Sequence, residues 1–248
     1  MSSEIPAESA FQAVADRVWR AVAEPETVNI GLVAGDDGAL LIDTGSSPEQ
    51  GVRLRTMAES VAGVPLVAVF VTHDHYDHVG GLPAFADLPS YGHEDVPGVS
   101  EPFALVRVVD LGSRRVELAH FGAAHTSSDA VAILPDADVV FTGDLLESLQ
   151  PPQFGADSSL NGWLIALDSI LSLLNQQTIL LPGHGEPFER DYAFDQRMRL
   201  AALLGNLEYL RQRHIPIEDA PEAVEWPFDK ATIAALLPLA YAQQKQRR

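Results

Sequence analysis

Leu66-Val67-Ala68-Val69-Phe70-Val71-Thr72-His73-Asp74-His75-Tyr76-Asp77-His78 decides how this chain is read. Its first seven residues form a valine-rich apolar run, short for a helix and suited to a strand buried on both faces. The run stops at His73, and three histidines and two aspartates crowd into the next six positions. Such crowding is poor core design and has no purpose on a plain surface; a metal ion removes the conflict. A single histidine is most often structural, so it is the cluster, not any one member, that points to metal. In an extended or turn conformation, residues i and i+2 point the same way. His73 and His75 can then converge on one ion while Asp77 and His78 turn toward a second. Imidazole suits zinc, iron, nickel or copper, and carboxylate suits harder ions.

On the N-terminal side, Val28 to Ala34 and Ala39 to Asp43 are β-rich and flank Gly35-Asp36-Asp37-Gly38, a hairpin signal. A helix is predicted from about Pro48 to Val61. Beyond the histidine cluster come short strands at Val106–Val109, Arg115–Leu118, Val131–Leu134 and Val139–Thr142. Leu149 to Ser159, with Pro151, Pro152 and Gly155, reads as a loop. Leu160, Trp163, Leu164, Leu167, Ile170, Leu171 and Leu174 recur at helical spacing and give one apolar face. Another strand, Thr178 to Leu181, leads into Pro182-Gly183-His184-Gly185. From about Arg190 the chain reads as helical, broken between Pro216 and Pro227. Strands interleaved with helices imply a layered α/β protein, here a single domain over 1–248 with a helical C-terminal extension from about 190. The halves share an outline: an aspartate beside glycine after one strand (Asp43, then Asp144), a helix, and a strand ending in histidine (His73, then His184).

Three more candidate ligands stand at element ends. His125 lies in a loop of small residues, Asp144 follows a strand in Thr142-Gly143-Asp144, and His184 is flanked by glycines. Loops beyond strand ends are the usual place for a site in layered α/β proteins. His93, His120 and His214 fall outside these patterns and read as structural or surface residues.

Composition excludes several chemistries. There is no cysteine, so thiolate ligands, disulfides and a thiol nucleophile are ruled out. The formal charge is −19, from 35 acidic and 16 basic residues. A field of that sign repels phosphate backbones and anionic membranes. The expected partner is a small-molecule substrate, with no nucleic acid and no membrane; the oligomeric state is left open. Met1 to Ala10 does not read as a secretory signal, so a cytoplasmic location is expected.

His73-X-His75-X-Asp77-His78, then His125-Thr126, Thr142-Gly143-Asp144 and Pro182-Gly183-His184-Gly185 stand in the order typical of the metallo-β-lactamase-fold superfamily, which this sequence resembles from about Val28 to Gly185. Leu41-Ile42-Asp43-Thr44-Gly45 is similar to that superfamily's first motif. The resemblance implies a four-layer αβ/βα sandwich with the site at one edge of its two sheets. It assigns His73, His75 and His125 to one metal and Asp77, His78 and His184 to another, with Asp144 bridging. Asp43 is implied to support the ligands from behind. With aspartate at the bridging position and no cysteine, the pattern resembles glyoxalase II, lactonases and RNase Z more than the cysteine-using β-lactamases.

The implied activity is metal-dependent hydrolysis of an ester, lactone, thioester or amide in a small molecule. Two divalent ions, zinc first and iron or manganese as alternatives, would share a hydroxide as nucleophile, and Asp77 would orient or deprotonate it. The alternative is a mononuclear iron persulfide dioxygenase of the same fold, because these ligands suit iron as well as zinc. Tyr76 and Phe154 are candidate substrate contacts, and the loop 146–159 and the C-terminal helices are candidate pocket walls.

Overall fold

The computed structural model describes residues 9–246, with side chains through Ala242; most of the N-terminal stretch read for a secretory signal lies outside the described residues. The first sheet runs in chain order: β1 (Gln12–Ala15), β2 (Val18–Ala23), β3 (Val28–Ala34), β4 (Ala39–Ile42), β5 (Leu66–Phe70), β6 (Ser90–His93) and β7 (Glu101–Phe103). Pairing is antiparallel as far as β4 and parallel from β4 to β7. The expected hairpin is β3–β4, with Val33 opposite Leu40 and Ala34 opposite Ala39. The parallel step from β4 to β5 needs a crossover, supplied by helix α1 (Pro48–Ala62). Ser47 caps α1 by accepting from the Gln50 amide, Pro48 stands in its first turn, and Gly63 ends it at φ 69°.

The second sheet is β8 (Val106–Asp110), β9 (Arg115–His120), β10 (Ala130–Leu134), β11 (Val139–Gly143), β12 (Ile179–Pro182) and β13 (Phe188–Glu189), also in chain order. Here α3 (Leu160–Leu173) makes the crossover between the parallel pair β11 and β12. Hairpin, helix and parallel strand thus occur once in each half, as the repeated outline of the sequence implies. A one-turn helix α2 (Tyr76–Val79) follows β5, and α4 (Arg190–Gln212), α5 (Ala220–Ala223) and α6 (Lys230–Gln246) complete the chain.

Apolar side chains sort these elements into four layers. Leu40, Ile42, Ala68 and Phe70 of the first sheet meet Leu118, Ala132, Leu134 and Phe141 of the second. The outer face of the first sheet, with Ile30, Leu32, Leu41 and Val69, packs on Leu54 and Ala58 of α1. The outer face of the second, with Val131, Val140 and Leu180, packs on Trp163, Leu167 and Ile170 of α3 and on residues of α4 and α6. The predicted αβ/βα sandwich is the observed architecture.

Strands β1, β2, β6, β7 and the two-residue β13 are additions to the sequence reading. They are short and interrupted by polar residues, so their apolar pattern is weak. Arg20 in β2 illustrates the point. A charged residue reads as solvent-facing, yet Arg20 is buried, bonding to Asn29 Oδ1 at 2.6 Å and to both oxygens of Glu186 at 2.8 and 3.1 Å. Asn29 in turn donates to the carbonyls of Pro182 and Gly185, both at 2.8 Å. That network ties the first sheet to the loop carrying His184. No helix among the described residues is long and apolar enough to cross a membrane.

Candidate metal centre

Every candidate ligand sits just past a strand end or on the turn that follows one, at the edge where both sheets open. His73 comes three residues after β5. Asp77 and His78 lie on α2, with His75 as its N-cap, so the cluster is part turn and part helix rather than extended throughout. The helical turn places Asp77 and His78 in a second group with His184, although the His78 ring stays 4.2 Å from the His73 ring. His125 follows β9, Asp144 follows β11 directly, and His184 follows β12.

The structure brings these seven side chains together. Ligand atoms of His73, His75, His125 and Asp144 lie within 4.8 Å of one another, and those of Asp77, His78 and His184 form a second such group. Asp144 touches both. Its Oδ2 is 3.8 Å from His73 Nε2, 3.5 Å from His125 Nε2 and 3.7 Å from His184 Nε2, and its Oδ1 is 3.3 Å from His78 Nε2. Asp77 Oδ2 completes the second group, 3.4 Å from His184 Nε2 and 3.7 Å from His78 Nε2.

The nitrogens facing away from the centre are mostly tied down. His73 Nδ1 is 3.1 Å from Thr72 Oγ1, and His78 Nδ1 is 2.8 Å from Asp43 Oδ2. His125 Nδ1 donates to the Gln153 carbonyl at 3.0 Å, and His75 Nε2 faces Asp157 Oδ2 at 3.6 Å. Outer partners of this kind fix the tautomer and aim of metal-binding imidazoles. The inward atoms are the opposite: His73 Nε2, His78 Nε2 and Asp144 Oδ1 are buried with no hydrogen-bond partner. Buried polar atoms left this way are costly. Histidine and carboxylate donors, converging with free lone pairs, fit divalent cations.

Electrostatics divide the imidazoles. Burial and the neighbouring imidazoles hold His73 well below its usual range. For His78, burial opposes the charge, but Asp144 and Asp43 carry the group well above it. Burial also opposes the Asp144 carboxylate, and His78 and His73 hold it well below the usual range nonetheless.

Asp43 stands behind the candidate ligand His78. It is buried, and it accepts from the Thr72 amide at 2.8 Å, from Thr72 Oγ1, and from His78. Its φ is 62°, a left-handed conformation uncommon outside glycine and often found at functional sites. Gly183 allows the closest approach: a Cβ there would fall 1.7 Å from Asp144 Oδ1.

Of the other named residues, Tyr76 is exposed, and a hydrogen bond to Glu26 pushes its phenol up to about 12. Phe154 packs on Trp163 and Phe228, with centroids 5.4 and 6.4 Å apart. The loop 146–159 does reach the site, through Gln153 and Ser158 on His125 and Asp157 facing His75. His93 and His120 stack on each other at 3.9 Å, outside the ligand groups. Glu147 escaped the sequence reading. It is buried three residues after Asp144, within 4.8 Å of Asp144 and His184 ligand atoms. A charged residue closing the run Asp144-Leu145-Leu146-Glu147 was the available signal.

The family model described as the metallo-beta-lactamase superfamily matches residues 23–94 and 88–184. The chain is 26 % identical over 166 residues to a metallo-beta-lactamase type 2 of Bacillus cereus, covering 62 % of this chain and 65 % of that protein. It is 30 % identical over 156 residues to a probable hydroxyacylglutathione hydrolase of Schizosaccharomyces pombe, covering 59 % of each. It therefore spans less than two thirds of the length of these curated relatives. The solved metallo-beta-lactamase from Pontibacter korlensis has the same fold, with a TM-score of 0.68 at 23 % identity over 77 % of this chain and 98 % of that one. The sandwich, the paired histidine–aspartate clusters at its edge and a family match over residues 23–184 together establish that this chain belongs to the metallo-beta-lactamase superfamily.

Proposed function

We propose that the protein is a dinuclear metal-dependent hydrolase of a small carbonyl compound: an ester, lactone, thioester or amide. The observation that carries this reading is the position of Asp144, whose two oxygens lie 3.3–3.8 Å from four imidazole nitrogens drawn from both ligand groups. A carboxylate so placed suits a bridge. His73, His75 and His125 would hold one cation, and Asp77, His78 and His184 the other. Bound there, two divalent cations would supply Lewis acidity and a water whose pKa falls from about 15.7 toward 7.

The chain's own groups provide the rest. Asp77 is partly exposed at the mouth, and despite burial its hydrogen bond with His184 holds it below the usual carboxylate range. It stays ionised at neutral pH and can orient a water or accept its proton. Gln153, Ser158 and Asp157 bring the loop 146–159 over His125 and His75, where it can shape the substrate pocket. The −19 charge favours a small substrate over a polynucleotide. The similarity to a probable hydroxyacylglutathione hydrolase puts acylglutathione thioesters first in a substrate panel with lactones, esters and β-lactams.

Elemental analysis of protein from cells supplied with zinc, iron and manganese should find two metal ions per chain. His75→Ala and Asp144→Ala should lose metal and activity while keeping the fold. Activity on the identified substrate that persisted in both variants would overturn the mechanism. One iron per chain, with oxygen uptake on persulfides, would replace it with the dioxygenase reading.

A further inference from the structure

Glu147 belongs to neither ligand set implied by the family's motifs. Its residue is 2 % exposed, and neither carboxylate oxygen has a hydrogen-bond partner. The backbone is fixed by α4: the amide donates to Gln196 Oε1 and the carbonyl accepts from Tyr192 Oη, both at 3.0 Å. Leu145 and Leu146 beside it are core residues. A carboxyl group held in such a place with no partner opposes folding whether or not it keeps its proton, since a buried polar group is unfavourable unless something pairs with it. The nearest groups of matching chemistry are ligands. Atoms of Asp144, Glu147 and His184 lie within 4.8 Å of one another, a third cluster that shares members with both proposed metal positions. His184 Nδ1 is also buried without a partner.

We propose that Glu147 is a further ligand of the cation held by Asp77, His78 and His184, an added carboxylate that shifts this position's preference from zinc toward manganese or iron. The proposal rests on the dinuclear reading above. Its chemical basis is donor type. Three imidazole donors make the first position nitrogen-rich. Asp77, Asp144 and Glu147 would give the second three carboxylates against two imidazoles, and oxygen donors favour harder ions. A residue needed only to fill space there would be served by an apolar or amide side chain of the same size.

Glu147→Gln keeps that size and removes the charge. Wild type and variant would be stripped of metal, then titrated with zinc and with manganese against a chromophoric chelator. Cobalt-loaded absorption spectra would report coordination directly. The first ion should bind both proteins alike. The second should bind the variant at least ~10-fold more weakly, with the larger loss for manganese, and the cobalt spectrum should change. Glu147→Asp, which keeps the charge but withdraws the carboxylate by one methylene, should also weaken the second ion, and it covers the case in which the glutamine variant folds poorly. Two ions bound by wild type and by both variants with equal affinities and superimposable cobalt spectra would overturn this proposal alone. A wild type that takes up no ion would overturn the dinuclear reading with it.

Discussion

Replacing Asp43 with asparagine tests whether residues behind the ligands aim them. Asp43 accepts from His78 Nδ1 at 2.8 Å, so once a cation has displaced the other proton the ring would keep its proton on that side and present Nε2 toward Asp77 and Asp144. Asparagine has the same shape and tolerates the left-handed conformation at φ 62°, so the backbone should not move. Its carbonyl can still accept from the Thr72 amide, now 2.8 Å from Asp43 Oδ1. Its NH2 would then face His78 Nδ1, pushing the ring proton to Nε2, where it blocks the lone pair. A hydrogen bond to a charged group contributes about 1.5–3 kcal/mol, which corresponds to roughly 10- to 100-fold in affinity. The second cation should therefore bind Asp43→Asn 10- to 100-fold more weakly, by about that factor, and the first nearly unchanged. Chelator competition on the two proteins measures this, and circular dichroism of the stripped variant checks the fold. A correctly folded Asp43→Asn with wild-type affinity for both ions would refute the reasoning.

Three other perturbations have defined outcomes. Gly183→Ala places a methyl group 1.7 Å from Asp144 Oδ1, so the carboxylate must shift, and metal content by elemental analysis should fall without loss of secondary structure. Trp163 is fully buried, packs edge-on to His125 at 5.3 Å and donates to the Leu145 carbonyl at 2.9 Å. Trp163→Ala should cost about 3–5 kcal/mol in chemical denaturation. Burial raises the Asp129 carboxyl to about 7 although Thr126 hydrogen-bonds to it. Between pH 4 and 7 the folded chain thus keeps a proton that the unfolded chain has released, so this group's contribution to stability falls as pH rises, by at most ~1.4 kcal/mol per unit. Asp129→Asn should flatten that segment of the stability–pH curve, and an unchanged slope would count against the assignment.

Three of the strands that lead into candidate ligands were legible because they are mostly apolar and run into a chemistry-bearing residue: β5 before His73, β11 before Asp144, β12 before His184. The helix α3 was legible from its periodicity. What stayed hidden depends on contacts distant in sequence. Arg20 reads as a surface residue until Glu186, 166 positions away, is placed beside it. Phe154 reads as a loop aromatic, and only the fold shows that it is half-buried against Trp163 and Phe228. Glu147 reads as one more charge in an acidic chain. Only the fold shows that it is buried, because α4 closes over it through Gln196 and Tyr192.

The proposed ligand set would also hold the two halves together at this edge. His73, His75, Asp77 and His78 come from the first sheet, whereas His125, Asp144 and His184 come from the second. Each proposed cation would therefore have donors from both, and its binding energy would become adhesion between the halves. Protons can do part of this work: His78 is carried above its usual range by Asp144 and Asp43, with the opposing burial overcome, so an imidazolium lies against two carboxylates. His73 is driven the other way, by burial and then by His78. Four imidazoles around one carboxylate cannot all be satisfied by sharing protons, because each charge taken up by one ring disfavours charge on the next. Divalent cations would satisfy these lone pairs together, and their binding would expel the His78 proton from the centre. Proton release on metal loading, read by a pH indicator in weak buffer, is the signature that separates this arrangement from a merely buried ion-pair network.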